Sequence, residues 1–270
     1  MQSDRAFRRW LSYPEGTGAR VRTAGKQERL VSVEIRPLRL EGFEQLPKHA
    51  RRCVFWEVDP QTLGDGGYLP DPEFEKEAWL SMVMLEWGSC GQVALPVAED
   101  GDPPIDDDEP CLGYVLYAPP RAVPRAQRFP TGPVSADAVL LTSMGVEAGE
   151  FGGLENQLIA QVVSELRRRG VRALEAFGRT AAAAQLLEAG ADPACKQAVA
   201  AFDECSFETC MIDAAFLIEA GFSVVAPHRY FPRLRLELDK GLGWKAEVEA
   251  ALERLLESSQ LQISGAEISS

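Results

Sequence analysis

The stretch that decides the fold is "DAVLLTSMGVEAGEFGGLENQLIAQVVSELRRRGVRALEAFG", residues 137–178. Its opening segment, "DAVLLTSMGV", is apolar on both faces, as a strand in the middle of a covered sheet should be. Leu154, Leu158, Ile159, Val162, Val163 and Leu166 then recur at helical spacing, which predicts a helix burying one side against that sheet. Arg167, Arg168 and Arg169 suit the negative end of the helix dipole, and Gly170 suits the position just beyond a helix end. "VRALEAFG" reads as a second buried strand. Strand, helix and strand in succession make a βαβ unit. The helix start has no Ser, Thr, Asp or Asn to cap it. Gly152 and Gly153 stand there instead, so the first backbone N–H groups are left without side-chain partners. Uncapped N–H groups, the positive dipole end and the absence of Cβ together describe an anion site. A tight strand-to-helix turn explains the same two glycines, and these residues alone leave both readings open.

On the N-terminal side, "VSVEIRPLRL" alternates Val31, Val33 and Ile35 with polar residues and reads as a strand. "GFEQLPKHARRCVFWEV" reads as a short helix broken at Pro47, with His49 on its surface. "PEFEKEAWLSMVMLEWG" reads as a helix with Pro72 at its start and acids in its first turn. "GQVALPVA" and "CLGYVLYAPP" read as a hairpin around the acidic run 99–109. That run is expected to be a solvated loop; attraction of a cationic substrate or a loose divalent site is the functional alternative. On the C-terminal side, "DAAFLIEAGF" is a short helix stopped by Gly221, and "SVVAPHRYFPRLRLEL" holds one or two strands. A terminal helix is expected at 244–257, with Trp244, Val248, Leu252, Leu255 and Leu256 on one face. Residues 31–257 are thus expected to form a single domain with an insertion at about 179–210. Flexible tails are expected at 1–30 and 258–270.

The chain has 270 residues, 46% of them hydrophobic, and a formal charge of −13. The charge argues against a nucleic-acid partner, because phosphate binding needs concentrated Lys and Arg. No apolar run of membrane-spanning length and no secretory pattern occurs, so a cytoplasmic protein without a membrane partner is expected. Six cysteines with no CxxC pair read as reduced, mostly buried thiols, and no metal is expected at the candidate site. The sharper alternative is a metal set of Cys195, Cys205, Cys210 and His228, against which the lack of tight ligand pairs counts.

The order β, α, α, β-hairpin, β, glycine turn, α, β, α, β resembles the GNAT superfamily of acetyl-CoA-dependent N-acetyltransferases. So does "AAFLIEAGFSVVAPHRYFPRLRLEL", with its Gly221-Phe222 after a short helix. The resemblance covers roughly residues 31 to 238 and looks closest to actinobacterial-type members. It implies an α/β fold with a mixed, mostly antiparallel central sheet flanked by helices. It implies an N-acetyltransferase using acetyl-CoA as co-substrate and an amine acceptor, small molecule or protein, of unknown identity. By that resemblance Met144 and Val146 would face the pantetheine arm. Phe151, Gly152, Gly153, Leu154 and Glu155 would offer N–H groups to the pyrophosphate.

The family pattern (Gln/Arg)-x-x-Gly-x-(Gly/Ala) stands here as Glu150-x-x-Gly153-x-Glu155, a degenerate motif. Two carboxylates beside a pyrophosphate repel it, at ~1 kcal/mol per pair at 4 Å in water. The family's tyrosine acid falls at Leu217, which cannot donate a proton, leaving Tyr230 as the candidate acid. Asp137, Glu147 and His228 are the candidate bases. Ser143 and Cys210 have no evident base beside them. Trp56, Trp79, Trp87 and Tyr230 are compatible with a pocket for a cationic amine. A catalytically degenerate GNAT-like binding or scaffold module is the alternative, and a homodimer or a protein partner is compatible with either.

Overall fold

The computed structural model describes residues 19–21, 29–59, 69–97, 110–147, 153–188, 193–199 and 205–238. The acidic run 99–109, the expected helix 244–257 and the tail 258–270 lie outside them. Eight strands form one sheet in the order β1-β2-β3-β4-β5-β6-β8-β7. β1 (Ala19–Val21) pairs antiparallel with the start of β2 (Arg29–Pro37), so two pieces of the expected tail belong to the sheet. After β2 come a 3-10 turn at Leu40–Gln45, then α1 (Lys48–Arg52) and α2 (Pro72–Trp87). Pro47 divides the turn from α1. Asp71 caps α2 by accepting from Phe74 N at 3.1 Å, with Pro72 in the first turn.

β3 (Gly91–Val97) and β4 (Gly113–Ala118) are the hairpin strands, and β5 (Ala138–Val146) pairs antiparallel with β4. α3 (Leu154–Arg168) crosses to β6 (Ala173–Phe177), which is parallel to β5. This is the βαβ unit expected from the sequence, and it contains the only parallel pair among the described strands. The segment after β6 holds a 3-10 helix at Ala181–Leu187, α4 (Pro193–Ala198) and α5 (Phe207–Cys210). α6 (Ala214–Glu219), β7 (Ser223–Ala226) and β8 (Arg233–Glu237) complete the described chain, so the C-terminal strand segment is two strands.

The sheet divides two cores because side chains alternate across it. Leu140 and Phe177 face one core with Leu80, Val83, Trp56 and Phe231. Val139, Leu141 and Leu174 face the other with the six apolar residues of α3 and with Leu217. Those six α3 positions are all buried. Gly170 (φ 73°) and Gly221 (φ 91°) adopt the left-handed backbone that ends helices. Trp56 stacks on Phe177 at 5.2 Å, and Trp79 donates Nε1–H to Ala122 O at 2.7 Å. Both are core residues here, not walls of an acceptor pocket.

Candidate active site

β5 and β6 stay together for only three residue pairs: Ala138 with Ala173, Val139 with Leu174 and Leu140 with Glu175. β5 then runs on to Val146, while β6 ends at Phe177 without pairing with it again. A bulge accompanies the parting. Leu116 faces Ser143 and Tyr117 faces Leu141, so Thr142 is the extra residue on β5. A bulge bends its strand and sharpens its twist, which carries the end of β5 away from β6.

Closed contact at one end and divergence at the other leave a cavity of about 300 Å³. One wall is β5 from Ser143 to Val146, and the facing wall is Thr209–Asp213 with Phe216. His49 and Cys53 close one side, and Tyr114 and Glu155 also line it.

The hydrogen-bond phase of β5 shows which groups the cavity meets. Glu147 N–H donates to Leu112 O at 2.9 Å on β4. Residues two apart point their backbone polar groups the same way in an antiparallel ladder. Gly145 therefore also faces β4, and its carbonyl lies beside Gly113. Met144 and Val146 present their N–H and C=O groups to the opposite side, where no described strand pairs with them. At the mouth, α3 begins on Gly153 (φ 85°) with no side-chain cap. A Cβ on Gly153 would meet nothing within 4 Å among the described residues. Phe151, Gly152 and Glu150 lie outside the described residues. Leu154 is buried in the second core, whereas Glu155 reaches the cavity.

The candidate acids and bases are placed elsewhere. Asp137 stands at the closed end of β5, roughly 20 Å along the strand from Met144. There it makes a two-pronged pair with Arg235 at 3.0 and 3.0 Å. Glu147 is exposed just past the strand end and does not line the cavity. His228 is committed to its own loop: Nδ1 accepts from Tyr230 N at 3.1 Å and Phe231 N at 3.0 Å. Its ring stacks on Phe231, and its Nε2 lies 3.8 Å from Cys195 Sγ. Tyr230 packs on the first core under the Arg229 guanidinium and is not a cavity residue. Leu217 is fully buried in the second core.

The phenol that does reach the cavity is Tyr114. It faces Gly145 across the β4–β5 ladder, and a Cβ at Gly145 would meet its ring at 2.8 Å. Glycine at 145 is what lets the ring lie over β5. Burial pushes the Tyr114 phenol above its ordinary range, so it carries its proton at neutral pH.

His49 is also not a surface residue. It is half-buried, and its Nε2 lies 3.6 Å from Cys210 Sγ, so Cys210 does have an imidazole beside it. Cys53 and Cys205 join the same cluster. Hydrogen bonds with Cys205 and Cys210 hold the Cys53 thiol well below its usual range. By contrast, burial pushes Cys90 and Cys111 up to about 12. The set Cys195, Cys205, Cys210 and His228 is therefore split: Cys195 pairs with His228, and the other two cysteines join His49 and Cys53.

No protein-family model and no curated protein sequence matches the chain. Among solved structures, the chain resembles the PaiA N-acetyltransferase of Thermoplasma acidophilum in complex with coenzyme A, at 11% identity and TM-score 0.40 over 76% of this chain and 99% of that one. It resembles an N-acetyltransferase of Staphylococcus aureus at 14% identity and TM-score 0.38, over 77% and 99%. The ribosomal-protein-S18-alanine N-acetyltransferase of Escherichia coli gives 12% identity and TM-score 0.36, over 77% and 94%.

Proposed function

We propose that the chain is an acetyl-CoA-dependent N-acetyltransferase of the GNAT type, acting on an amine of unknown identity. The observation that carries this reading is the parting of β5 from β6 after Leu140, which turns the backbone edge of Met144 and Val146 toward the cavity. An extended amide chain such as pantetheine fits this edge, because it can add to a strand through main-chain hydrogen bonds. The turn at Gly153 and the uncapped start of α3 suit the pyrophosphate.

The amine nitrogen attacks the thioester carbonyl carbon and forms the new C–N bond. Its proton passes to solvent or to a base, and the carbonyl oxygen takes a developing negative charge that a β5 N–H stabilises. The C–S bond then breaks, and Tyr114 supplies the proton taken up by the leaving thiolate. Phe151 and Gly152, outside the described residues, would add their N–H groups to the phosphate turn in this reading, and the Glu150 carboxylate would oppose the phosphate. Asp137, Glu147, His228 and Tyr230 have no part in the transfer.

Glu155 on the cavity weakens the co-substrate's binding. Calorimetric titration with acetyl-CoA is expected to give one weak site per chain, and Glu155→Gly should tighten it roughly several-fold by removing one repelling charge. A micromolar constant for the unaltered chain, unchanged in Glu155→Gly, would contradict the weakening. The second reading, a GNAT-like binding or scaffold module without catalysis, is favoured by the burial of Leu217 at the family's acid position. Acetyl-CoA binding without turnover across a panel of amines would support that second reading.

A further inference from the structure

We propose that His49, Cys53, Cys205 and Cys210 form a closed tetrahedral site for one structural zinc ion. The four residues come from two distant segments, each supplying a tight pair. His49 and Cys53 stand four apart at the end of α1, hence on one helix face. Cys205 stands two residues before α5, and Cys210 is the last residue of that helix. Three thiols and one imidazole are a common structural zinc set, built from paired ligands.

The geometry fits the ion. Zinc–nitrogen and zinc–sulfur bonds of about 2.1 and 2.3 Å at a tetrahedral angle place the two donors about 3.6 Å apart. His49 Nε2 and Cys210 Sγ are 3.6 Å apart. The donor atoms of His49, Cys53 and Cys210 all lie within 4.8 Å of one another. The Cys205 thiol hydrogen-bonds with both Cys53 and Cys210. It stands beside this three-donor set, not within it, and closes in to complete the fourth corner when the ion binds.

All three cysteines are buried and unbridged. Zinc with three thiolates and a neutral imidazole carries one net negative charge. A buried cation stands within electrostatic reach: Arg125 is 2% exposed, and Cys53, Cys205 and Cys210 all act on it. The Cys195–His228 pair differs. His228 Nδ1 accepts two backbone N–H groups, so its Nε2 holds the ring proton and faces Cys195 as a donor, not as a ligand.

Four protein ligands leave no open coordination position, so the ion is structural and not catalytic. It pins α1 to the α5–α6 segment, and both border the cavity. This site stands independently of acyl transfer.

The test starts with protein purified without chelator from zinc-supplemented cells. Mass spectrometry of the metal content is expected to find about one zinc per chain after dialysis. Replacement by cobalt(II) is expected to give thiolate-to-cobalt charge-transfer absorption and intense tetrahedral ligand-field bands. Cys205→Ser and Cys210→Ser should lose the metal, while Cys195→Ser keeps it. Because the first two variants can fail to fold, the unaltered protein supplies a second readout. Stripping zinc should expose three additional thiols to dithionitrobenzoate, and adding zinc back should protect them again. Three results would each overturn the proposal. The first is a metal-free protein that gives no cobalt charge-transfer band when reduced. The second is a denatured, unreduced protein showing two fewer free thiols than the six in the sequence. The third is full metal retention in both Cys205→Ser and Cys210→Ser.

Discussion

Gly145 and Tyr114 act as a pair. The missing Cβ on β5 makes room for the ring from β4, and the ring brings a protonated hydroxyl to the cavity. If that hydroxyl protonates the leaving thiolate, Tyr114→Phe should lower kcat by about 10² to 10⁴. Gly145→Ala, which displaces the ring, should lower it by a similar factor. KM for acetyl-CoA should stay within a few-fold in both. An unchanged kcat in Tyr114→Phe would remove Tyr114 from the chemistry. Asp137, by contrast, works in stability and not in chemistry. Its hydrogen bonds with Arg235 hold the carboxyl below its ordinary 3.8. A lowered pKa adds stability above the unfolded value and loses it as pH falls through the folded value. The side chain is 42% exposed, so Asp137→Asn should cost at most about 1 kcal/mol at neutral pH. The gap between the two proteins should close as pH falls below 3.8, as urea titrations across pH would show. Acetyl transfer should be unaffected.

At the scale of elements, the closed end of the cleft is fastened by a buried carboxylate. Glu175 is fully buried on β6, opposite Leu140, the last residue of β5 to pair with β6. It accepts from Ser135 N at 3.0 Å and pairs with Arg233 at 3.0 Å and Arg235 at 3.1 Å. Removing one partner of a buried ion network leaves charge uncompensated, at about 3–5 kcal/mol. Glu175→Gln should therefore destabilise the domain by about that amount in denaturant unfolding; a loss below about 1 kcal/mol would show that the clamp is unimportant. Local, periodic features of this kind of fold were readable in the sequence. The α3 face and the glycine stops of α3 and α6 follow from spacing within one element. The bulge at Thr142 was not readable, because nothing in "LLTSMG" marks the residue that loses its partner. The Tyr114–Gly145 fit and the His49–Cys53 partnership with Cys205 and Cys210 join residues far apart in sequence. The sequence alone groups Cys205 and Cys210 with Cys195 and His228, because nothing local in His49-x-x-x-Cys53 ties that pair to a segment about 150 residues away. His228 is a candidate base by residue type alone; two backbone N–H groups occupy its Nδ1 in the fold.

For the whole molecule, one sheet separates two cores and opens where its only described parallel pair ends. Among the described residues no helix is long and apolar enough to cross a membrane. In the proposed function the exposed backbone edge of β5 receives the acyl-CoA arm. The most direct measurement follows backbone amide resonances of the isotope-labelled protein during titration with acetyl-CoA. The amides of Met144, Val146 and Gly153 should shift together and saturate, while those of Ala138–Leu140, still paired with β6, stay put. Saturable binding that leaves Met144 and Val146 unmoved, or no binding even in Glu155→Gly, would contradict the account.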